Sequence, residues 1–93
     1  MDIYAQMAQQ IIKEQETILG PVAWEQALKV QGLRVDSTVG AVSFDGKDEK
    51  EIVNSLIKQY QGLFGRTSVE VCKEAVHSII TSVPKDQLPQ MLL

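Results

Sequence analysis

Residues 48–65 read DEKEIVNSLIKQYQGLFG, and this stretch constrains the fold more than any other. Ile52, Val53, Leu56, Ile57, Tyr60, Leu63 and Phe64 recur at three- and four-residue steps, which stacks them on one side of an α-helix. Asp48 and Glu51 form a D-x-x-E start related to the capping box, and Gly65 supplies a stop. A helix over 48–64 with so broad an apolar side gains most of its stability from packing, so the rest of the chain must supply matching faces.

Three other segments do so. Residues 2–19 place Tyr4, Met7, Ala8, Ile11, Ile12, Ile18 and Leu19 on one stripe, interrupted by Gln15, with Asp2 positioned to cap the first turn. Gly20 and Pro21 then make a corner into a short helix over 21–31. Its apolar residues are Ala23, Ala27 and Val30 along one edge and Trp24 and Leu28 along the other, and Gly32 with Leu33 makes a Schellman-type stop. A fourth helix is expected over 67–83. Thr67 and Glu70 form its T-x-x-E box, Val69, Cys72, Val76, Ile79, Ile80 and Val83 form its stripe, and Pro84 ends it.

Residues 33–47 are the least helical part. Val35, Val39, Val42 and Phe44 favour strand, while Asp36, Gly40 and Asp45–Gly46 favour turns, so this connection is a loop or a short β-hairpin. Residues 85–93 form one helical turn or an extended tail. The expected fold is all-α or mainly α: a single domain over 1–93, with four helices in two helix–turn–helix pairs joined by 33–47.

Composition narrows the function. Apolar residues make up 44% and charged residues 23%, a globular balance. Nine Lys/Arg against twelve Asp/Glu, interspersed, give a net charge of −3, which disfavours general nucleic-acid binding. One cysteine cannot form an internal disulfide, no apolar run is long enough to span a bilayer, and MDIYAQMAQQ is too polar for a signal peptide. A cytoplasmic location and no membrane association are expected.

Chemistry-bearing motifs are sparse. Cys72 and His77, each the only residue of its type, stand five apart, which separates them by about 140° on a helix. Cys72 falls on the apolar stripe and His77 on the polar face, so one straight helix cannot bring them into the contact that a nucleophilic pair needs. Glu74-x-x-His77 matches the spacing of one di-iron ligand pair, but the second copy and further carboxylates are missing. No frame through DGKDEKE at 45–51 satisfies a calcium loop, because Lys47 and Lys50 stand at positions that require an oxygen ligand and glycine. Gly62, Gly65 and Arg66 match neither phosphate-binding glycine pattern. A helix-turn-helix across FGRTS would present Ser68, Glu70, Lys73, Glu74 and His77 to DNA, a set of mixed sign without arginine.

The expectation that remains is a non-enzymatic helical protein-interaction, regulatory or dimerisation module. It needs no cofactor and no metal, and it acts through an apolar surface on a protein partner or a second copy. Trp24, Phe44, Met91, Leu92 and Leu93 have no obvious place in a four-helix core. The candidate contact residues are therefore Trp24, Tyr60, Phe64, Met91, Leu92 and Leu93, with Tyr60 and Phe64 leaning to the core by phase. Two alternatives come from other classes: a small-ligand or thiol-redox sensor with Cys72 lining a pocket among Trp24, Tyr60 and Ile79, and the helix-turn-helix nucleic-acid binder.

Overall fold

The computed structural model describes residues 2–46 and 48–93. It is mainly helical, with one two-stranded hairpin. The elements are α1 (Ile3–Leu19), α2 (Val22–Ala27), β1 (Leu33–Asp36), β2 (Ala41–Phe44), α3 (Glu49–Phe64), α4 (Arg66–Ala75) and α5 (His77–Ile80). Two short 3₁₀ turns follow, at Lys85–Gln87 and Gln90–Leu92.

Both long helices start where side chains can satisfy their free amides. Asp2 accepts from the Tyr4 amide at 3.0 Å, and Asp48 accepts from the Glu51 amide at 3.2 Å. Both stop at a glycine with positive φ, Gly20 (φ +70°, ψ −151°) and Gly65 (φ +78°, ψ −162°), a backbone region that is essentially glycine-only. α1 and α3 run in the same direction. Asp2 and Glu49, at their starts, stand close enough for Asp2 to raise the Glu49 carboxyl, and their far ends meet through Tyr60, whose hydroxyl donates to Ala23 O at 2.7 Å. Two parallel helices need a long return connection, and residues 20–48 provide it.

That return is made by α2 and the hairpin. The second helix ends at Ala27, not near 31, because the chain tightens into i→i−3 bonds. Lys29 N–H donates to Gln26 O and Val30 N–H to Ala27 O, both at 3.1 Å. The tightening buries Val30 and leaves Leu28 61% exposed. The connection at 33–47 contains a hairpin: β1 and β2 pair antiparallel, with Leu33 opposite Phe44 and Val35 opposite Val42. These four residues share one face, and the hairpin packs on the core beside α1. Lys47, the last residue of that connection, lies outside the described residues.

The fourth helix departs most from expectation. It begins at Arg66 directly after the Gly65 corner, so Thr67 is already inside the first turn and caps nothing. It also breaks at Val76 (φ −105°, ψ 6°), dividing the expected 67–83 into α4 and the short α5, so five helices are present among the described residues. Val76 is fully buried, and the change of direction there brings Ile79, Ile80 and Val83 against the core from a new angle. No glycine or proline marks this break, so a stripe running through it reads as one helix.

One core cluster joins α1, α2, α3 and α4 to the tail. Met7, Ala8, Ile11, Ile12, Val53, Leu56, Ile57, Tyr60, Cys72 and Val76 are wholly buried, and each large apolar member contributes roughly 1.5–3 kcal/mol by leaving water. Gln15 belongs to this interior. It is 1% exposed, and its amide donates to Ser68 O at 3.1 Å and to Cys72 Sγ at 3.5 Å on α4.

Candidate functional site

The residues that carry the most reactive chemistry occupy different surroundings. Cys72 is fully buried, and burial pushes its thiol up to about 11, opposed by the hydrogen bond from Gln15. At neutral pH that leaves a protonated thiol, a poor nucleophile. His77 is exposed at the start of α5, and Glu74 is exposed at the end of α4. Tyr60 is fully buried, and burial first, then the Cys72 thiol, raises its phenol far above the ordinary tyrosine range. Its role is a structural donor to Ala23.

Three of the expected contact residues are buried. Trp24 is 5% exposed, and its indole N–H donates to Glu16 Oε2 at 2.6 Å, which fixes the first corner. It therefore offers no surface to a partner, and neither does Tyr60. Leu92 is 6% exposed and Met91 half-buried, both in the tail that covers α3 and α4. Phe44 is half-buried on the inner face of the hairpin. Phe64 and Leu93 remain on the surface, at 41% and 64% exposure.

The two glycine corners lie at one end of the molecule. Tyr60, five residues before Gly65, reaches Ala23, three residues after Gly20. Gln15, five residues before Gly20, reaches Ser68, three residues after Gly65. At about 1.5 Å per helical residue, each corner stands within roughly 8 Å along its helix of these contacts. Ile18 and Val22 flank the first corner, and Leu63 and Phe64 precede the second. Among the described residues these are four of the seven exposed large apolar side chains. More than half of these surface apolar residues thus share this pole, while Leu28, Val39 and Leu93 lie outside the set. Periodicity assigned Ile18, Leu63 and Phe64 to the core; at the last turn of each helix the stripe overruns the element it packs on.

The opposite pole is acidic. Asp2, Asp48, Glu49 and Asp86 meet there around Tyr4. Burial, then these four carboxylates, hold the Tyr4 phenol above its ordinary value. A hydrogen bond with Asp2, then partial burial and the Asp2 charge, hold the Glu49 carboxyl above its own. Asp45, Asp48 and Glu51 also line a surface cavity of about 500 Å³ with Gln31 and Ser55. Two of these carboxylates already have partners, since Asp45 pairs with Arg34 at 2.7 Å and Asp48 caps α3. A second cavity, about 640 Å³, lies between α5 and the tail, lined by Ile80, Val83, Leu88 and Leu92 with Lys85 at its edge.

No match was found among protein-family models, curated proteins or solved structures. The functional reading therefore rests on the chain's own geometry. Among the described residues, no helix is long and apolar enough to cross a membrane.

Proposed function

We propose that this chain is a non-enzymatic dimerisation module that joins two copies through the apolar pole at the Gly20 and Gly65 corners. The observation that carries this reading is the gathering of Ile18, Val22, Leu63 and Phe64 at that end. An apolar surface is complementary to its own copy, which is what a two-fold interface requires. The opposite pole is strongly acidic and would repel a second copy, so electrostatics favour the same orientation.

Sedimentation equilibrium tests the reading. The expected result is a concentration-dependent rise from the 10.3 kDa chain mass towards twice that value, lost in Leu63→Asp and in Phe64→Ser. Leu63 is 51% and Phe64 41% exposed and neither belongs to the buried core, so these variants keep the fold. A wild-type mass that stays at one chain up to millimolar concentration overturns the proposal.

A further inference from the structure

The last ten residues are held in the manner of a bound peptide. Three side chains of the helical body hydrogen-bond to the main chain of this segment. Tyr4 donates its hydroxyl to Gln87 O at 2.6 Å, Lys50 donates Nζ to Asp86 O at 2.9 Å, and Asn54 Oδ1 accepts from the Met91 amide at 2.7 Å. Leu88, Pro89 and Leu92 are buried in the same groove, while the side chains of Lys85, Asp86, Gln87 and Gln90 face outward. The groove thus reads backbone carbonyls, one backbone amide, two leucines four residues apart and the proline after the first. It leaves the side chains of Lys85, Asp86, Gln87 and Gln90 unread, while Met91 packs partly against it.

We propose that this groove, formed by α1, α3 and α4, is a peptide-binding site, and that residues 86–92 are its displaceable internal occupant. The ligand class is a short segment of a partner chain with the pattern Leu-Pro-x-x-Leu. Main-chain hydrogen bonds with anchor side chains between them are the usual division of labour in peptide recognition, the first giving affinity and the second specificity. The internal segment joins α5 through the turn at 81–83 and Pro84, whose extended backbone (φ −58°, ψ 145°) makes no helical continuation into the tail. The segment is therefore not a continuation of α5, and its release breaks no helical hydrogen bond across Pro84. An attached segment competes at a high effective concentration, so a partner peptide binds the native chain weakly and binds tightly once the internal anchors are weakened. The site lies towards the acidic pole, away from the surface assigned to dimerisation, and does not depend on that assignment.

The test uses the full chain and a fluorescein-labelled synthetic peptide, KDQLPQMLL. The chain carrying Leu88→Ala and Leu92→Ala, with Tyr4, Lys50 and Asn54 untouched, is expected to bind the peptide saturably and at least tenfold more tightly than wild type. Replacing both anchor leucines of the peptide by aspartate should abolish binding. A folded double variant that does not bind, or that binds the aspartate peptide equally well, overturns the proposal. Hydrogen exchange on the wild-type chain gives a readout that survives a folding failure of the variant. The Met91 amide, held by Asn54, should exchange much faster than the amides of Ile57 and Tyr60; equal protection would mean that the tail opens only on global unfolding, and the proposal fails. A dimer abolished by the tail substitutions but not by Leu63→Asp would identify a second copy's tail as the occupant and overturn the partner-chain assignment.

Discussion

Gln15 on α1 donates its side-chain amide to the Cys72 thiol on α4, 3.5 Å away in the interior, while the same nitrogen reaches Ser68 O at 3.1 Å. One polar side chain thereby fixes the register of two helices more than fifty residues apart in sequence. Removing it takes one hydrogen bond each from Ser68 O and Cys72 Sγ and leaves a cavity behind. Gln15→Ala should therefore destabilise the chain by about 2–4 kcal/mol in urea unfolding. Gln15→Leu, which refills the space, should cost less than Gln15→Ala. A Gln15→Leu variant as stable as wild type would show that the amide contributes nothing.

The same contact bears on alkaline stability. The folded Cys72 thiol titrates at about 11 against an ordinary value of 9.0, so the folded state keeps its proton after the unfolded state has lost it. Stability from this group is complete below pH 9 and is lost as pH rises from 9 towards 11. Tyr60, raised by burial and by Cys72, adds a decline of the same sign. Cys72→Ala should flatten part of the fall in denaturation midpoint over that window. In wild type, thiol labelling should be slow until denaturant is added.

Two glycines give opposite outcomes. Gly32 has φ +88°, and a Cβ there would lie 2.9 Å from Ile52 Cδ1. Gly32→Ala should cost about 1–3 kcal/mol, the range for a residue forced into the left-handed region. Gly62 lies inside α3 with nothing near a new Cβ, so Gly62→Ala should stabilise by about 0.5–1 kcal/mol. Thermal melts of the two variants, shifted in opposite directions from wild type, check both.

These cases show which features were legible in the sequence. The starts and stops of α1 and α3 follow from Asp2, Gly20, Asp48 and Gly65, local signals whose effect depends little on the rest of the fold. The inward face of the hairpin follows from Leu33, Val35, Val42 and Phe44 once the strands pair. The break at Val76 does not, because no residue there forbids helix and tertiary packing alone redirects the chain. Gln15 reads as an interruption because periodicity scores polarity and cannot see a partner on α4. Trp24 looks like surplus apolar surface until Glu16 supplies an acceptor for its indole. The apolar pole is illegible for a related reason: whether a stripe is covered at its last turn depends on the lengths of neighbouring elements.

The Trp24–Glu16 bond, at 2.6 Å and partly buried, makes a charge-assisted clamp across the Gly20 corner. Trp24→Phe keeps most of the apolar contact and removes the donor, leaving the carboxylate without that partner. A loss near the lower end of about 1.5–3 kcal/mol is expected, the range for hydrogen bonds to charged groups, because Glu16 is exposed. Because Trp24 is the only tryptophan, its emission in wild type should be blue-shifted and poorly quenched by iodide. Strong quenching in the native chain would contradict its burial.

The acidic pole sets a dependence of the opposite kind to that of an ordinary ion pair. Glu49 sits against Asp2, with Asp48, Asp86 and Tyr4 close by and Lys50 bonded to the Asp86 carbonyl. Its folded carboxyl is raised above 4.5, so the folded state holds this proton more tightly than the unfolded state does. The contribution is favourable below pH 4.5 and is lost as pH rises through the folded value. Asp36 works against it. Hydrogen bonds from the Thr38 side chain and amide lower its carboxyl, so its contribution is present at neutral pH and lost on acidification. A single profile mixes the two, but a variant separates them. Glu49→Gln offers Asp2 a donor at every pH, so its melting temperature should exceed that of wild type at pH 7, with the difference closing towards pH 4. A constant difference across that range would show that the Glu49 proton has no part in the effect.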